Sequence, residues 1–110
     1  MFQKHNSPPD EMKSQAYQVY SEWGPDSRIP RDERLAACFP SLPVENRAEW
    51  MATFDAVEKE IWGYAETGGP RLHPFDHFAK HMIERFPFMN NEALRRAGSL
   101  ALYYTVHEGY

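Results

Sequence analysis

PVENRAEWMATFDAVEKEIWGYAET, residues 43–67, is the longest uninterrupted helical pattern in the chain. At 100° per residue its large apolar side chains fall in a sector roughly 100° wide, which is typical of an amphipathic helix. They are Trp50, Phe54, Val57, Ile61, Tyr64 and Ala65. Pro43 suits the first turn of such a helix, and Gly68-Gly69-Pro70 ends it. Because one whole side of this helix is apolar, we expect other segments to cover it.

Helical patterns also occupy most of the remaining chain. We predict a helix from the Ser7-Pro8 entry to the Trp23-Gly24-Pro25 stop, a short one over residues 30–39, and two more over residues 74–86 and 91–107, the last capped by Asn90 or Asn91. Residues 1–7 are polar and expected to be frayed. Residues 100–106 have high β-propensity, but the face that they share with Leu94 and Ala97 continues at helical spacing. The sequence therefore predicts one all-α domain, a small bundle of four main helices and one short helix.

Composition limits the function and the compartment. The chain has 110 residues, a formal net charge of −4 and a single cysteine, Cys38. One cysteine cannot form an internal disulfide, and no apolar run reaches the 18 residues of a membrane span. We expect a cytoplasmic protein, with the nucleus open if the source is eukaryotic or viral. We also predict that Cys38, on a short apolar face, is buried rather than catalytic.

Histidines recur at helical spacing in HPFDHFAKHMIE, residues 73–84. His77, His81 and Glu84 share one helix face, and two histidines four residues apart suit zinc or another divalent metal. The same face lies opposite the apolar side chains of this helix, which favours a solvated surface without a metal. We therefore expect no cofactor, and keep a divalent metal site as the alternative.

A nucleic-acid interface is a further alternative. The helices over residues 74–86 and 91–107 are joined by a short turn, and Arg95 and Arg96 lie near the start of the second, where a helix-turn-helix protein reads bases. The acidic net charge and the proline in the turn argue against this interpretation.

Surplus apolar and aromatic side chains indicate an interaction surface. Trp62 lies off the central stripe, and Leu100, Leu102, Tyr103 and Val106 extend beyond any single core face of the last helix. The Tyr103-Tyr104 pair and Tyr110 are the first places where we expect an exposed patch. Exposed patches of this kind usually bind a partner, although a five-helix packing would also cover them. We predict a non-enzymatic regulatory or adaptor protein that binds another protein or itself.

A weak internal repeat has an offset of 47 residues. Phe39-Pro40 aligns without a gap on Phe86-Pro87, and each pair lies between two predicted helices. Duplication of a two-helix unit would explain this. The alternative is that Phe-Pro is simply an effective helix stop.

Overall fold

The computed structural model describes residues 8–21 and 28–107. The α-helices are α1, Pro8–Tyr20; α2, Arg31–Cys38; α3, Val44–Glu66; α4, Phe75–Arg85; and α5, Asn91–His107. A 3-10 helix that the sequence did not predict, Gly69–Arg71, lies between α3 and α4. The described residues form no strand, so the predicted all-α bundle is confirmed. None of these helices is long and apolar enough to cross a lipid bilayer.

The central helix α3 buries the predicted apolar stripe. Phe54, Val57, Ile61 and Ala65 are all 0% exposed, and Trp50 and Tyr64 are half-buried against the same core. The helix ends next to Gly68, which adopts a left-handed conformation with φ of 106°. A residue with a side chain rarely adopts that conformation, which is why glycine ends this helix.

The last helix, α5, is the main packing partner of α3. Ala97 and Ala101 of α5 are fully buried in the core. Asn90 caps α5, because its side-chain oxygen accepts a hydrogen bond from the Ala93 N–H at 2.9 Å. Of the two predicted caps, Asn90 is therefore the one that the chain uses.

The first helix packs against both α3 and α5. Its Tyr17 and Tyr20 pack against Phe54 with ring centroids 5.7 and 5.2 Å apart. Ser14 Oγ donates to the Phe88 carbonyl at 2.7 Å and accepts from the Asn90 N–H at 3.1 Å. These two hydrogen bonds join α1 to the turn before α5.

The end of α1 lies before the predicted one. The helix ends at Tyr20, and Ser21 already forms a turn. The predicted Trp23-Gly24-Pro25 stop and the polar residues 1–7 lie outside the described residues.

The expected burial of Cys38 is wrong, since this cysteine is exposed. It is the last residue of α2, a helix of eight residues whose buried side chains are Arg34 and Leu35. Such a short helix presents little more than one turn to the core, and Leu35 occupies that position.

Two helix–turn–helix units have matching bounds. The helices α2 and α4 end at residues 38 and 85, and the helices α3 and α5 begin at residues 44 and 91, so both pairs differ by 47. The bounds coincide at the offset that the sequence indicates.

The two turns also share a backbone conformation. Phe39 has φ −131° and ψ 65°, and Phe86 has φ −126° and ψ 75°. The carbonyl of Phe39 accepts from the Leu42 N–H at 3.0 Å, and that of Phe86 accepts from the Met89 N–H at 3.1 Å. Duplication stays a prediction, because the preference of any residue before proline for a non-helical backbone favours the same stop.

Candidate partner-binding surface

The end of α5 exposes several large apolar side chains. Leu102 is 47% exposed, Tyr103 is 40% exposed and Val106 is 49% exposed. They lie within two turns of one helix, and Leu102 and Val106 are one turn apart on the same side. Clusters of this kind on a protein surface commonly mark a place where something binds.

A row of aromatic rings lies next to these side chains. Trp62 of α3 stacks flat on Tyr104 of α5, with centroids 3.9 Å apart and planes 7° apart. Tyr104 contacts Tyr103 edge to face at 5.9 Å, and Tyr103 lies 4.0 Å from His107. The row therefore runs from α3 to the last residue of α5. We call the following residues together the α5 surface: Trp62, Leu102, Tyr103, Tyr104, Val106 and His107.

The predicted partner-binding residues separate into three groups. Trp62, Tyr103 and Val106 belong to the α5 surface, with Trp62 half-buried by its stack on Tyr104. Leu100 is 5% exposed and lies in the core, so the prediction that it extends beyond the core face is wrong. The reason is that α1 as well as α3 packs on α5, and a wider sector of α5 is buried than one partner helix would cover. Tyr110 lies outside the described residues.

Tyr104 belongs to the Tyr103-Tyr104 pair that the sequence indicates as a place for an exposed patch, whereas His107 was not among the predicted partner-binding residues. The four-residue spacing of Tyr103 and His107 is a usable signal, because side chains at that spacing meet on a helix. The stack of Tyr104 on Trp62 leaves no such signal, since it depends on how α5 is placed along α3.

A network of hydrogen bonds and charges joins three helices, and the charge of Glu58 within it acts on Tyr104. Arg31 donates to both carboxylate oxygens of Glu58, at 3.1 and 3.4 Å, and its guanidinium lies 4.2 Å from the Tyr20 ring centre. The Tyr20 hydroxyl donates to Asp55, and burial together with that hydrogen bond raises its pKa. Burial also raises the pKa of Tyr104, and the Glu58 charge adds to the effect. The network thus joins α1 and α2 to α3.

Arg31 itself is held by this network. Burial alone would lower its pKa, but the hydrogen bond and the charge of Glu58 outweigh burial and raise it. The Arg31–Glu58 pair is therefore a contact between α2 and α3.

The histidine face of α4 lies in solvent, as its helical wheel predicts. His77, His81 and Glu84 are all exposed. His81 Nε2 lies 3.5 Å from Glu60 Oε1 of α3, and Arg85 donates to the same oxygen. No three His, Cys, Asp or Glu side chains among the described residues already converge on a point where they would hold a metal ion.

The two arginines of the proposed recognition helix differ. Arg95 is exposed near the start of α5. Arg96 is half-buried and donates to the Ser21 carbonyl at 3.2 Å, which ties α5 to the end of α1. One of the two arginines thus has a role inside the fold.

The chain was compared with protein-family models, with curated proteins and with solved structures, and none of the three comparisons found a match.

Proposed function

We propose that this chain is a non-enzymatic cytoplasmic protein, regulatory or adaptor in role, that binds another protein or a second copy of itself through the α5 surface. The observation that carries the proposal is the joint exposure of Leu102, Tyr103 and Val106 beside the Trp62–Tyr104 stack. Interface cores are enriched in aromatic side chains, and tyrosine and tryptophan often supply most of the binding energy.

The stacked rings favour binding for a second reason. Trp62 and Tyr104 already hold each other in place, and Tyr103 is held between Tyr104 and His107. Side chains that are ordered before binding lose less conformational entropy when a partner arrives. A partner with an apolar ridge would cover Leu102 and Val106 and contact the aromatic row beside them.

The non-enzymatic part of the proposal is supported by how the charged side chains near the α5 surface are used. Arg31 is paired with Glu58, and Asp55 accepts a hydrogen bond from Tyr20. Each of these contacts joins two helices, which is a structural use. The net charge of −4 favours a protein partner over nucleic acid, since nucleic-acid binding relies on clustered Lys and Arg.

The proposal is tested with the double variant Leu102→Ser/Val106→Ser and a matched control. The control is Val44→Ser, because Val44 is also an exposed apolar residue, at 64%, and lies at the far end of α3 from Trp62. Wild-type protein and both variants are used to capture partners from an extract of the native host, and the self-association of each is measured by sedimentation.

We expect wild-type protein to capture a partner or to sediment as an oligomer. The double variant should weaken that association about 30-fold or more, because two buried apolar contacts are removed from the centre of the interface. The Val44→Ser control should behave as wild type. A wild-type protein that is strictly monomeric and captures nothing, or a double variant that binds as well as wild type, would contradict the proposal.

A further inference from the structure

A shallow groove runs between α3 and α4 and is lined by side chains of the kinds that bind transition metals. Glu60 of α3 lies on one side, and His73, His77 and His81 lie on the other. Imidazole nitrogen together with carboxylate oxygen is a donor set that suits Zn²⁺ and its neighbours in the first transition row.

Two of these donors already have the separation of metal ligands. His81 Nε2 lies 3.5 Å from Glu60 Oε1. Two ligands that are each about 2.0 Å from a tetrahedral ion lie about 3.3 Å from each other. The separation of these two atoms is therefore compatible with a metal ion between them once Arg85, which donates to the same Glu60 oxygen, moves away.

His77 is the candidate for the third ligand. It lies one turn before His81 on α4, which is the spacing at which two histidines of a helix bind one ion, and it lines the same groove. In the described structure the ring of His77 does not converge with the other two donors. His77 is exposed, so its ring has room to adopt another rotamer, and the site requires such a change. His73 is already used, because its Nε2 lies 3.0 Å from the Thr67 carbonyl oxygen.

We propose that Glu60, His77 and His81 form a divalent metal site of the Zn²⁺ type that bridges α3 and α4. The site differs from the one that the sequence indicates, which has Glu84 as the third ligand. Glu84 is not among the described residues that line the groove, whereas Glu60 faces His81 directly. A metal held by Glu60 joins two helices, and a metal held by Glu84 would lie on one.

Arg85 gives the proposal a distinctive test. It donates to the same Glu60 oxygen that faces His81, so the guanidinium and the metal ion compete for one carboxylate. Removing the positive charge of Arg85 should therefore strengthen metal binding. If the two histidines alone bound the ion, Glu60 would contribute little to the affinity. Removing the Arg85 charge would then increase the metal affinity less.

The experiment measures Zn²⁺ affinity by calorimetry and the melting temperature with Zn²⁺, with Mg²⁺ and after chelation. We expect Zn²⁺ to raise the melting temperature by about 5 °C, because a ligand that binds only the folded chain stabilises it. Mg²⁺ should have no effect, since it prefers oxygen ligands. Glu60→Gln, His77→Gln and His81→Gln should each weaken binding about tenfold or more, because each removes a ligand.

Two further variants distinguish the bridging site from a site on α4 alone. Arg85→Gln should bind Zn²⁺ more tightly than wild type, and Glu84→Gln should bind as wild type does. Melting curves without metal establish that each variant is folded. Absence of Zn²⁺ binding by the wild type would overturn the proposal, as would a Glu84→Gln variant that loses binding while Glu60→Gln retains it.

Discussion

Tyr17 and Tyr20 both contact Phe54 from α1, yet their hydroxyl groups have opposite surroundings. The Tyr20 hydroxyl donates to Asp55 and lies 3.5 Å from Glu58. Tyr17 is only 1% exposed, and its hydroxyl has no hydrogen-bond partner within the described part of the chain. Burial raises the pKa of both tyrosines, so both stay neutral near pH 7.

Replacing each tyrosine by phenylalanine should therefore have different effects. Tyr20→Phe should lower the free energy of unfolding by about 1–2 kcal/mol, because a hydrogen bond to a charged group is lost. Tyr17→Phe should leave it unchanged or raise it by up to about 1 kcal/mol, because a buried hydroxyl without a partner is removed. Urea unfolding of the two variants checks both values, and a Tyr17→Phe loss as large as that of Tyr20→Phe would contradict them.

Single residues also show where sequence reasoning stops. The stripe from Phe54 to Ala65 could be predicted, because helical spacing alone decides which side chains share a face. Leu100 and Cys38 could not, since each lies at the edge of an apolar face. Whether such a residue is covered depends on the neighbouring helix, and the sequence of one helix does not contain that information.

Two glycines inside helices allow the effect of helix propensity on stability to be distinguished from the effect of packing. A methyl group added at Gly63 of α3 would meet no atom within 4 Å. The same group at Gly98 of α5 would lie 2.6 Å from Phe75 Cε1 of α4. The ring of Phe75 also packs against Phe78, with 6.2 Å between ring centroids, so displacing Phe75 disturbs that contact as well.

Alanine at these two positions should change stability in opposite directions. Gly63→Ala should raise the free energy of unfolding by about 1 kcal/mol, which is the difference in helix propensity. Gly98→Ala gains the same amount but must push Phe75 aside, and we expect a net loss of about 1–2 kcal/mol. Thermal melting of the two variants measures this difference. An equal gain at both positions would show that α4 does not approach α5 at Gly98.

The existence and order of the helices could be predicted because proline, glycine and asparagine mark their ends. Gly68 ends α3, Asn90 caps α5, and Phe86-Pro87 follows α4. The 3-10 helix was missed because its three residues, Gly69–Arg71, contain the glycine and proline that also mark a turn. The alignment at an offset of 47 indicates that the two Phe-Pro turns are alike. Their common conformation is shown by the backbone angles of Phe39 and Phe86.

For the molecule as a whole, the sequence predicts that the last helix has more apolar surface than one core face can use. The structure places that surplus at the end of α5 and joins it to Trp62 of α3. The Trp62–Tyr104 stack could not be predicted, because it depends on how α3 packs on α5. No sequence pattern within either helix specifies that packing. The bridging position of Glu60 opposite His81 could not be predicted for the same reason.

The most direct test of the α5 surface is site-specific photocrosslinking in the native host. A photoreactive phenylalanine derivative replaces Tyr103, which is 40% exposed on α5, and in a matched control it replaces Val44, which is 64% exposed at the start of α3. We expect illumination to produce a discrete heavier adduct, with another protein or with a second copy of the chain, from position 103 and none from position 44. No adduct from position 103, or the same adduct from both positions, would contradict the proposal that this chain acts through the α5 surface.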